Sequence, residues 1–183
     1  MNTVLQTIKN RRSIRGYKPE QIKEEELQCI LEAAIYAPSG CNHQSWHFTV
    51  IQNRDLITTM SNVAKEKLKD SSNENFRNMG NNERLDLTHG APTLILVSGK
   101  DGNYSPLVDC SAAIENMLIA AESLNIGSLW IGLISLAFEN KEVMEKLNIP
   151  NGYKPYFGIA LGYKNVGEVK APKRNENVIT YIR

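Results

Sequence analysis

The chain has 183 residues, with 21 Lys and Arg against 20 Asp and Glu, which gives a formal net charge of +1. This length predicts one domain over residues 1–183. The near-neutral charge argues against nucleic acid or an acidic membrane surface as the main partner. An odd number of widely spaced cysteines indicates free thiols. Without a membrane-spanning run or a signal-peptide pattern, we expect a cytoplasmic protein with no membrane partner.

Hydrophobic periodicity in the first half of the chain predicts mostly helix. Helices are predicted over residues 3–10, 23–36 and 54–69, and an aromatic, β-branched strand over residues 46–52. Residues 70–82 are polar and rich in Asn, and they show no periodicity. We therefore expect a mobile loop there, able to act as a lid over a neighbouring site.

The second half of the chain alternates strands with helices. Strands are predicted over residues 93–98, 128–134 and 156–162, and helices over residues 106–125 and 139–147. Helix 106–125 is apolar around most of its circumference, which favours burial against a second subunit. Residues 178–182 are β-prone and end the chain, so we expect them to add a strand to a sheet, of this chain or of a partner. The fold class is therefore mixed α and β around one sheet.

Two segments about two dozen residues apart carry the chemistry. Residues 11–15, RRSIR, place three guanidinium groups and a hydroxyl within five residues, a composition suited to a phosphate. Residues 37–48, APSGCNHQSWHF, form a turn whose backbone donors suit a flat heterocycle. Together they predict a phosphorylated, planar cofactor. Simpler alternatives are a basic helix end and an ordinary turn before a strand.

With three further segments, these motifs resemble the FMN-dependent nitroreductase family. The further segments are APTLILV at 91–97, the stretch 109–132, and FGIALGY at 157–163 with APKRNENVITYI at 171–182, all in the family's order. The resemblance implies an α+β nitroreductase-like fold. It has a central, mostly antiparallel sheet flanked by helices and a C-terminal strand exchanged in a homodimer with FMN at the subunit interface.

The resemblance also implies an enzyme. NADH or NADPH would pass a hydride to N5 of FMN, and a small-molecule acceptor such as a nitroaromatic or a quinone would then take the electrons in a ping-pong cycle. The flavin would carry the chemistry, so no side chain is assigned as catalytic and no metal is expected. His43 and His47 are expected to be structural, and Cys41 incidental.

The residues expected to contact the cofactor follow from the same resemblance. Arg11 and Ser13 would contact the phosphate and ribityl chain, Arg15 the pyrimidine edge, and Arg12 has a weaker claim. The loop that reaches the flavin held mainly by the other subunit matches Pro38, Ser39, Gly40, Asn42 and Gln44. The strand end beside flavin N5 matches Ile131, Gly132 and Leu133, with the N5 donor left open between Gly132 and Leu133. The basic pair Lys173 and Arg174 would reach the phosphate.

Two other functions stay open at this point. One is a specialised relative with a narrow substrate, either a dehalogenase or an oxidase of one metabolite. The other is a flavin-binding or redox-sensing protein without useful turnover.

Overall fold

The computed structural model describes residues 2–183, which form an α+β fold built on a four-stranded antiparallel sheet. The elements, in chain order, are α1 (Thr3–Asn10), α2 (Glu24–Ile35), β1 (Trp46–Ile51), α3 (Arg54–Lys69), α4 (Glu74–Asn81), β2 (Thr93–Lys100), α5 (Pro106–Ser123), β3 (Ile126–Ile131), α6 (Lys141–Leu147) and β4 (Tyr153–Tyr163). Short 3₁₀ turns cover Gly40–Asn42 and Leu133–Glu139. The strand order is β1-β2-β4-β3, and every neighbouring pair is antiparallel.

The central strand β2 separates two hydrophobic cores. Its side chains alternate between the two faces of the sheet, as the pleat requires. Leu94 and Leu96 enter the core that α3 covers, and Ile95 and Val97 enter the core that α2 and α5 cover. Burial on both faces explains why β2 is an uninterrupted apolar run in the sequence.

The prediction of a mobile loop over residues 70–82 is wrong, because most of this segment is helix α4. The side chain of Asn73 accepts a hydrogen bond from the N–H of Asn75 and so caps the helix. At Gly80 the helix lies so close to α3 that an added Cβ would sit 2.8 Å from the Lys69 nitrogen and 2.9 Å from the Lys65 oxygen. The helix is held by capping and close backbone packing, neither of which produces an apolar pattern.

The strand predicted over residues 128–134 is corrected at both ends. It begins at Ile126 and ends at Ile131, and the apolar residues that follow form the 3₁₀ turn, where Ile134 and Ala137 are buried. Strand β4 begins three residues earlier than predicted, since Pro155 is accommodated at an irregularity in the pairing with β2. The other predicted elements start and end within three residues of the observed ones.

Several apolar side chains remain exposed on the single chain. They are Val4, Leu5 and Ile8 on α1, Leu107 and Val108 on α5, and Val178, Ile179, Tyr181 and Ile182 near the C-terminus. Residues 165–183 contain neither helix nor strand, so the strand expected over residues 178–182 has no partner within the chain. Among residues 2–183, no helix combines the length and apolar character needed to cross a bilayer.

Candidate functional site

The RRSIR segment follows α1 and is fixed by main-chain hydrogen bonds to the outer edge of β3. The Ile14 N–H donates to the Ser128 carbonyl at 3.0 Å, and Ser13 bridges to Ser128 in the parallel sense. The Tyr17 hydroxyl donates to the Ile14 carbonyl at 2.8 Å. The backbone is thus immobilised while the side chains of Ser13 and Arg15 stay exposed.

The three arginines of this segment differ in how far their donors are already used. Arg12 donates to the carbonyls of Lys9 and Arg11, both at 2.7 Å, and to Val169 at 3.3 Å. Arg12 therefore caps the C-terminal end of α1 and links it to the start of the C-terminal tail at Val169. Arg11 makes only a loose ion pair, with 3.7 Å between its Nε and Oε1 of Glu115. Within residues 2–183, Arg15 forms no ion pair or side-chain hydrogen bond, which leaves Arg11 and Arg15 with the most free capacity.

Gly132 follows the last residue of β3 and faces open space. Its φ of −67° and ψ of −40° are ordinary for any residue. A Cβ added there would meet no atom of residues 2–183 within 4 Å. Neither backbone strain nor packing within the chain requires glycine at this position, so a group from outside the chain has room to approach the backbone. Gly132 is exposed, and its neighbours Ile131 and Leu133 are buried and half-buried.

A tight turn before β2 brings a histidine into the electrostatic reach of Arg15. Asp86 accepts hydrogen bonds from the Thr88 N–H, the Thr88 hydroxyl and the Gly90 N–H, at 2.8–2.9 Å. Burial acts to raise the pKa of Asp86, but these hydrogen bonds outweigh it and hold the pKa below its ordinary value. His89 is half-buried with a φ of 53°. Its pKa is lowered by burial and then by the charge of Arg15.

The residues that the sequence predicts as cofactor contacts do not include this turn. Asp followed two residues later by Thr is nevertheless a local signal for a turn capped by a side chain. His89 itself offered no signal, since its approach to Arg15 depends on the docking of two distant segments.

The loop before β1 holds three non-glycine residues in the left-handed region. Cys41, Asn42 and Gln44 have φ values of 51°, 56° and 47°. Each such residue costs about 1 kcal/mol or more in backbone free energy, so the loop is strained. Internal bonds support it, among them the Gln44 N–H donating to the Ser39 hydroxyl at 2.9 Å. Pro38 and residues 41–44 are exposed, and Ser39 and Gly40 are half-buried.

A buried carboxylate in the first turn of α5 connects to this loop. Asp109 is 3% exposed. It accepts from the Gly40 N–H at 2.9 Å, the Ser45 hydroxyl at 2.7 Å and the Ser105 hydroxyl at 3.2 Å. Burial raises the pKa of Asp109, yet the hydrogen bonds from Ser45, Gly40 and Ser105 bring the pKa below its ordinary value. The sequence-based site lacks this residue, whose only local signal is an acidic side chain at a helix start.

The basic pair of the tail lies apart from these groups. Lys173 and Arg174 are exposed, and within residues 2–183 neither makes an ion pair or a side-chain hydrogen bond. The same part of the chain contains no cluster of three or more His, Cys, Asp or Glu side chains placed to hold a metal ion.

The sheet register places the RRSIR segment and the loop before β1 at different corners of the molecule. Ser128 pairs with Leu161, and Leu161 pairs with Thr93, whereas the loop enters β1 at Trp46, which pairs with Gly99. From Thr93 to Gly99 is about 20 Å along β2, and from β1 to β3 is three strand spacings, about 14 Å. One chain therefore brings Ser13 and Arg15 to the β3 edge, far from the loop's entry into β1. Gly132 follows the opposite end of β3, level with about Val97, so it is separated from β1 mainly by the three strand spacings.

Comparison with known proteins gives a consistent family. A model described as the nitroreductase family matches residues 8–163. A nitroreductase from Bacteroides fragilis with bound FMN superposes with a TM-score of 0.90 at 36% identity, covering 100% of both chains. A protein of Archaeoglobus fulgidus, provisionally named an NADH dehydrogenase/NAD(P)H nitroreductase, is 35% identical over 89% of this chain and 86% of its own length. An iodotyrosine deiodinase of Thermotoga neapolitana is 28% identical over 99% of this chain and 98% of its own length.

The lowered pKa of Asp86 predicts an acid-sensitive contribution to stability. A carboxyl group whose pKa is lower in the folded than in the unfolded state stabilises the fold at pH values above the unfolded pKa, about 4. That stabilisation is lost as the pH falls through the folded-state value. We expect Asp86→Asn to lower the free energy of unfolding at pH 7 by about 1–2 kcal/mol, a range reduced because the Asp86 side chain is 35% exposed.

Urea unfolding between pH 7 and pH 3 measures this effect. The difference between the native protein and Asp86→Asn should shrink steadily toward pH 3, while the exposed Asp55→Asn serves as a charge-matched control. A difference that stays constant over the whole range would contradict the assignment.

Proposed function

The chain belongs to the nitroreductase family, and from that premise we propose a homodimeric enzyme that reduces nitroaromatics, quinones or similar electron-poor small molecules. Family membership makes it an FMN-dependent oxidoreductase that uses NADH or NADPH. Beyond this, we propose the class of electron acceptor, the homodimer and the residues that contact the cofactor. The observation that carries them is the open backbone at Gly132, on the same sheet edge as the exposed side chains of RRSIR.

The residues at the β3 edge fit a phosphorylated flavin. When bound, FMN supplies the hydride-accepting and hydride-donating chemistry of the reaction. Arg11 and Ser13 offer a guanidinium and a hydroxyl to the phosphate and ribityl chain. The N–H of Gly132 or Leu133 would donate to the ring, since no side chain at Gly132 obstructs an approach to this backbone. Arg15 adds a positive charge that stabilises negative charge developing on the bound ring.

Phosphate binding by Arg11 requires only a weak internal contact to be given up. The Arg11–Glu115 pair is 3.7 Å long and its Glu115 side chain is 47% exposed. Exposed pairs of this kind contribute little free energy, whereas a guanidinium–phosphate contact is charge-assisted and can be bidentate. Lys173 and Arg174 would supply further positive charge once the tail docks on the partner. Arg12 contributes indirectly, since its donors hold the α1 end and the tail at Val169.

A second copy of the chain would complete the site. Residues 38–44 lead into β1, three strand spacings from the β3 edge of their own chain, so we expect them to contact the flavin of the partner's site. The exposed apolar residues of α1 and α5 provide a surface that dimerisation would bury.

The tail has a matching place to dock on the partner. The outer edge of β1 has no neighbouring strand among residues 2–183. A cavity of about 550 Å³ runs beside that edge, lined by residues 47–53, Leu56 and residues 146–148. The β-prone residues 178–182 would add a strand there and so exchange tails between subunits.

Gly132→Ala separates cofactor contact from folding. The backbone at Gly132 accepts any residue and a Cβ meets nothing within the chain, so the variant should unfold at the same urea concentration as the native protein. If the flavin approaches this backbone, the added methyl group should weaken FMN binding by at least about tenfold, roughly 1.4 kcal/mol. Fluorescence of FMN released on dilution of the yellow protein measures the dissociation constant.

Gly167→Ala is the matched control, because a Cβ there also meets no atom of the chain within 4 Å. It should leave both stability and FMN affinity unchanged. Native FMN affinity in Gly132→Ala would remove Gly132 from the site.

The acceptor class and the order of steps are tested together by steady-state kinetics. The sequence has no dinucleotide-binding glycine fingerprint, so donor and acceptor are proposed to use one pocket in turn. With NADH or NADPH and a nitroaromatic or a quinone, double-reciprocal plots should give parallel lines. Intersecting lines would contradict a ping-pong cycle.

The deiodinase relative favours one alternative, reductive removal of halogen from an aromatic substrate. Anaerobic turnover of an iodinated phenol with release of iodide, together with failure to reduce nitroaromatics and quinones, would select that alternative.

A further inference from the structure

One buried carboxylate connects two segments of the chain that are exposed on the surface. Oδ1 of Asp109 accepts from the Gly40 N–H and the Ser105 hydroxyl, and Oδ2 accepts from the Ser45 hydroxyl. Among residues 2–183 no ion pair involves Asp109, and its three hydrogen-bond donors are all neutral groups; His43 adds a longer-range electrostatic attraction. A buried charge held in this way is costly to leave without its donors, which makes the arrangement rigid.

The two bonds from the loop to Asp109 bracket its strained part. Gly40 and Ser45 stand on either side of the left-handed residues Cys41, Asn42 and Gln44. Between them, the His43 N–H donates to the Gly40 carbonyl at 3.0 Å and the Gln44 N–H donates to the Ser39 hydroxyl at 2.9 Å, so these bonds stay within the loop. The strained conformation therefore depends on Asp109 at both ends, with one additional main-chain bond from Lys100 to Ser45 at 2.8 Å.

The hydrogen bond from the Ser105 hydroxyl to Asp109 also attaches the segment that leads into α5. A Cβ added at Gly40 would lie 2.8 Å from the Ser105 hydroxyl oxygen and 3.6 Å from Cδ1 of Tyr104, so the two segments touch at Gly40. The Tyr104 side chain is 87% exposed. Its ring lies beside the loop, next to Ser105, whose hydroxyl donates to Asp109.

We propose that Asp109 is a positioning residue, which holds the loop of residues 38–45 in the strained shape that contacts FMN. The inference rests on the proposed function, because it takes this loop to be the part of the cofactor site that one subunit lends to the other. Asp109 touches neither cofactor nor substrate. It acts through the Gly40 N–H and the Ser45 hydroxyl.

The test compares Asp109→Ala, Asp109→Asn and Ser45→Ala with the native holoprotein. FMN release on dilution gives the dissociation constant, and amide hydrogen exchange of residues 39–45 reports the loop itself. Asp109→Ala should weaken FMN binding about tenfold or more and speed exchange across the loop. Asp109→Asn should weaken FMN binding less than Asp109→Ala, since its amide oxygen still accepts a hydrogen bond from the Gly40 N–H. For Ser45→Ala, both the FMN dissociation constant and the loop exchange rate should lie between those of the native protein and Asp109→Ala.

Ile57→Val provides a control for lost stability, because Ile57 is fully buried in the other hydrophobic core. It should leave FMN affinity and loop exchange unchanged. Native FMN affinity and native loop exchange in folded Asp109→Ala would overturn the proposal. If that variant does not fold, native values in Asp109→Asn and Ser45→Ala would overturn it equally. Should the native protein itself retain no FMN, the proposed function fails, and the exchange data alone then decide whether Asp109 holds the loop.

Discussion

The docking of the RRSIR backbone on the outer edge of β3 determines where everything else in the site can lie. An edge strand presents unpaired main-chain groups, and Ser128 uses them to hold Ser13 and Ile14. Each such bond adds only about 1 kcal/mol of net stability, but together they fix the direction of the side chains. The side chains proposed to bind the phosphate are thereby held beside β3, the strand that ends at Ile131, directly before Gly132. The opposite edge of the sheet, at β1, remains free for another strand.

Two carboxylates fix the conformation of loops by accepting hydrogen bonds from backbone N–H groups. Asp86 shapes the turn beside Arg15, and Asp109 holds the loop at the other corner of the molecule. In both cases N–H and O–H donors outweigh the effect of burial and lower the pKa. Each carboxylate therefore serves to fix the backbone. This is consistent with an enzyme whose cofactor carries the reaction.

The sequence predicts the fold well wherever burial imposes a regular pattern. Strand β2 is readable from its apolar run, and α3 from residues such as Ile57, Met60 and Ala64 that recur at helical spacing. Helix α4 is not predicted because only Phe76 and Met79 are large apolar residues in its eight mostly polar positions, too few to reveal a helical period. The true end of β3 was missed because buried side chains continue into a 3₁₀ turn.

The sequence offers candidate site residues only where a motif is local. The RRSIR segment and the loop can be proposed as cofactor contacts because the relevant residue types lie within a few positions of one another. The contacts of Arg12 could not be predicted, since Val169 is 157 positions away in the chain. The same applies to Asp109, whose partners Gly40 and Ser45 are 69 and 64 positions away. Only the three-dimensional structure brings these groups together.

If one complete site needs two chains, mixed dimers will show it most directly. Arg15→Ala alters the β3 edge and Asn42→Ala alters the loop, so homodimers of either variant should have two impaired sites. When both variants are coexpressed, half of the dimers are mixed and each contains one intact site, which should restore roughly a quarter of native NAD(P)H oxidation. Activity no higher than the mean of the two separate variants would contradict a site shared between subunits.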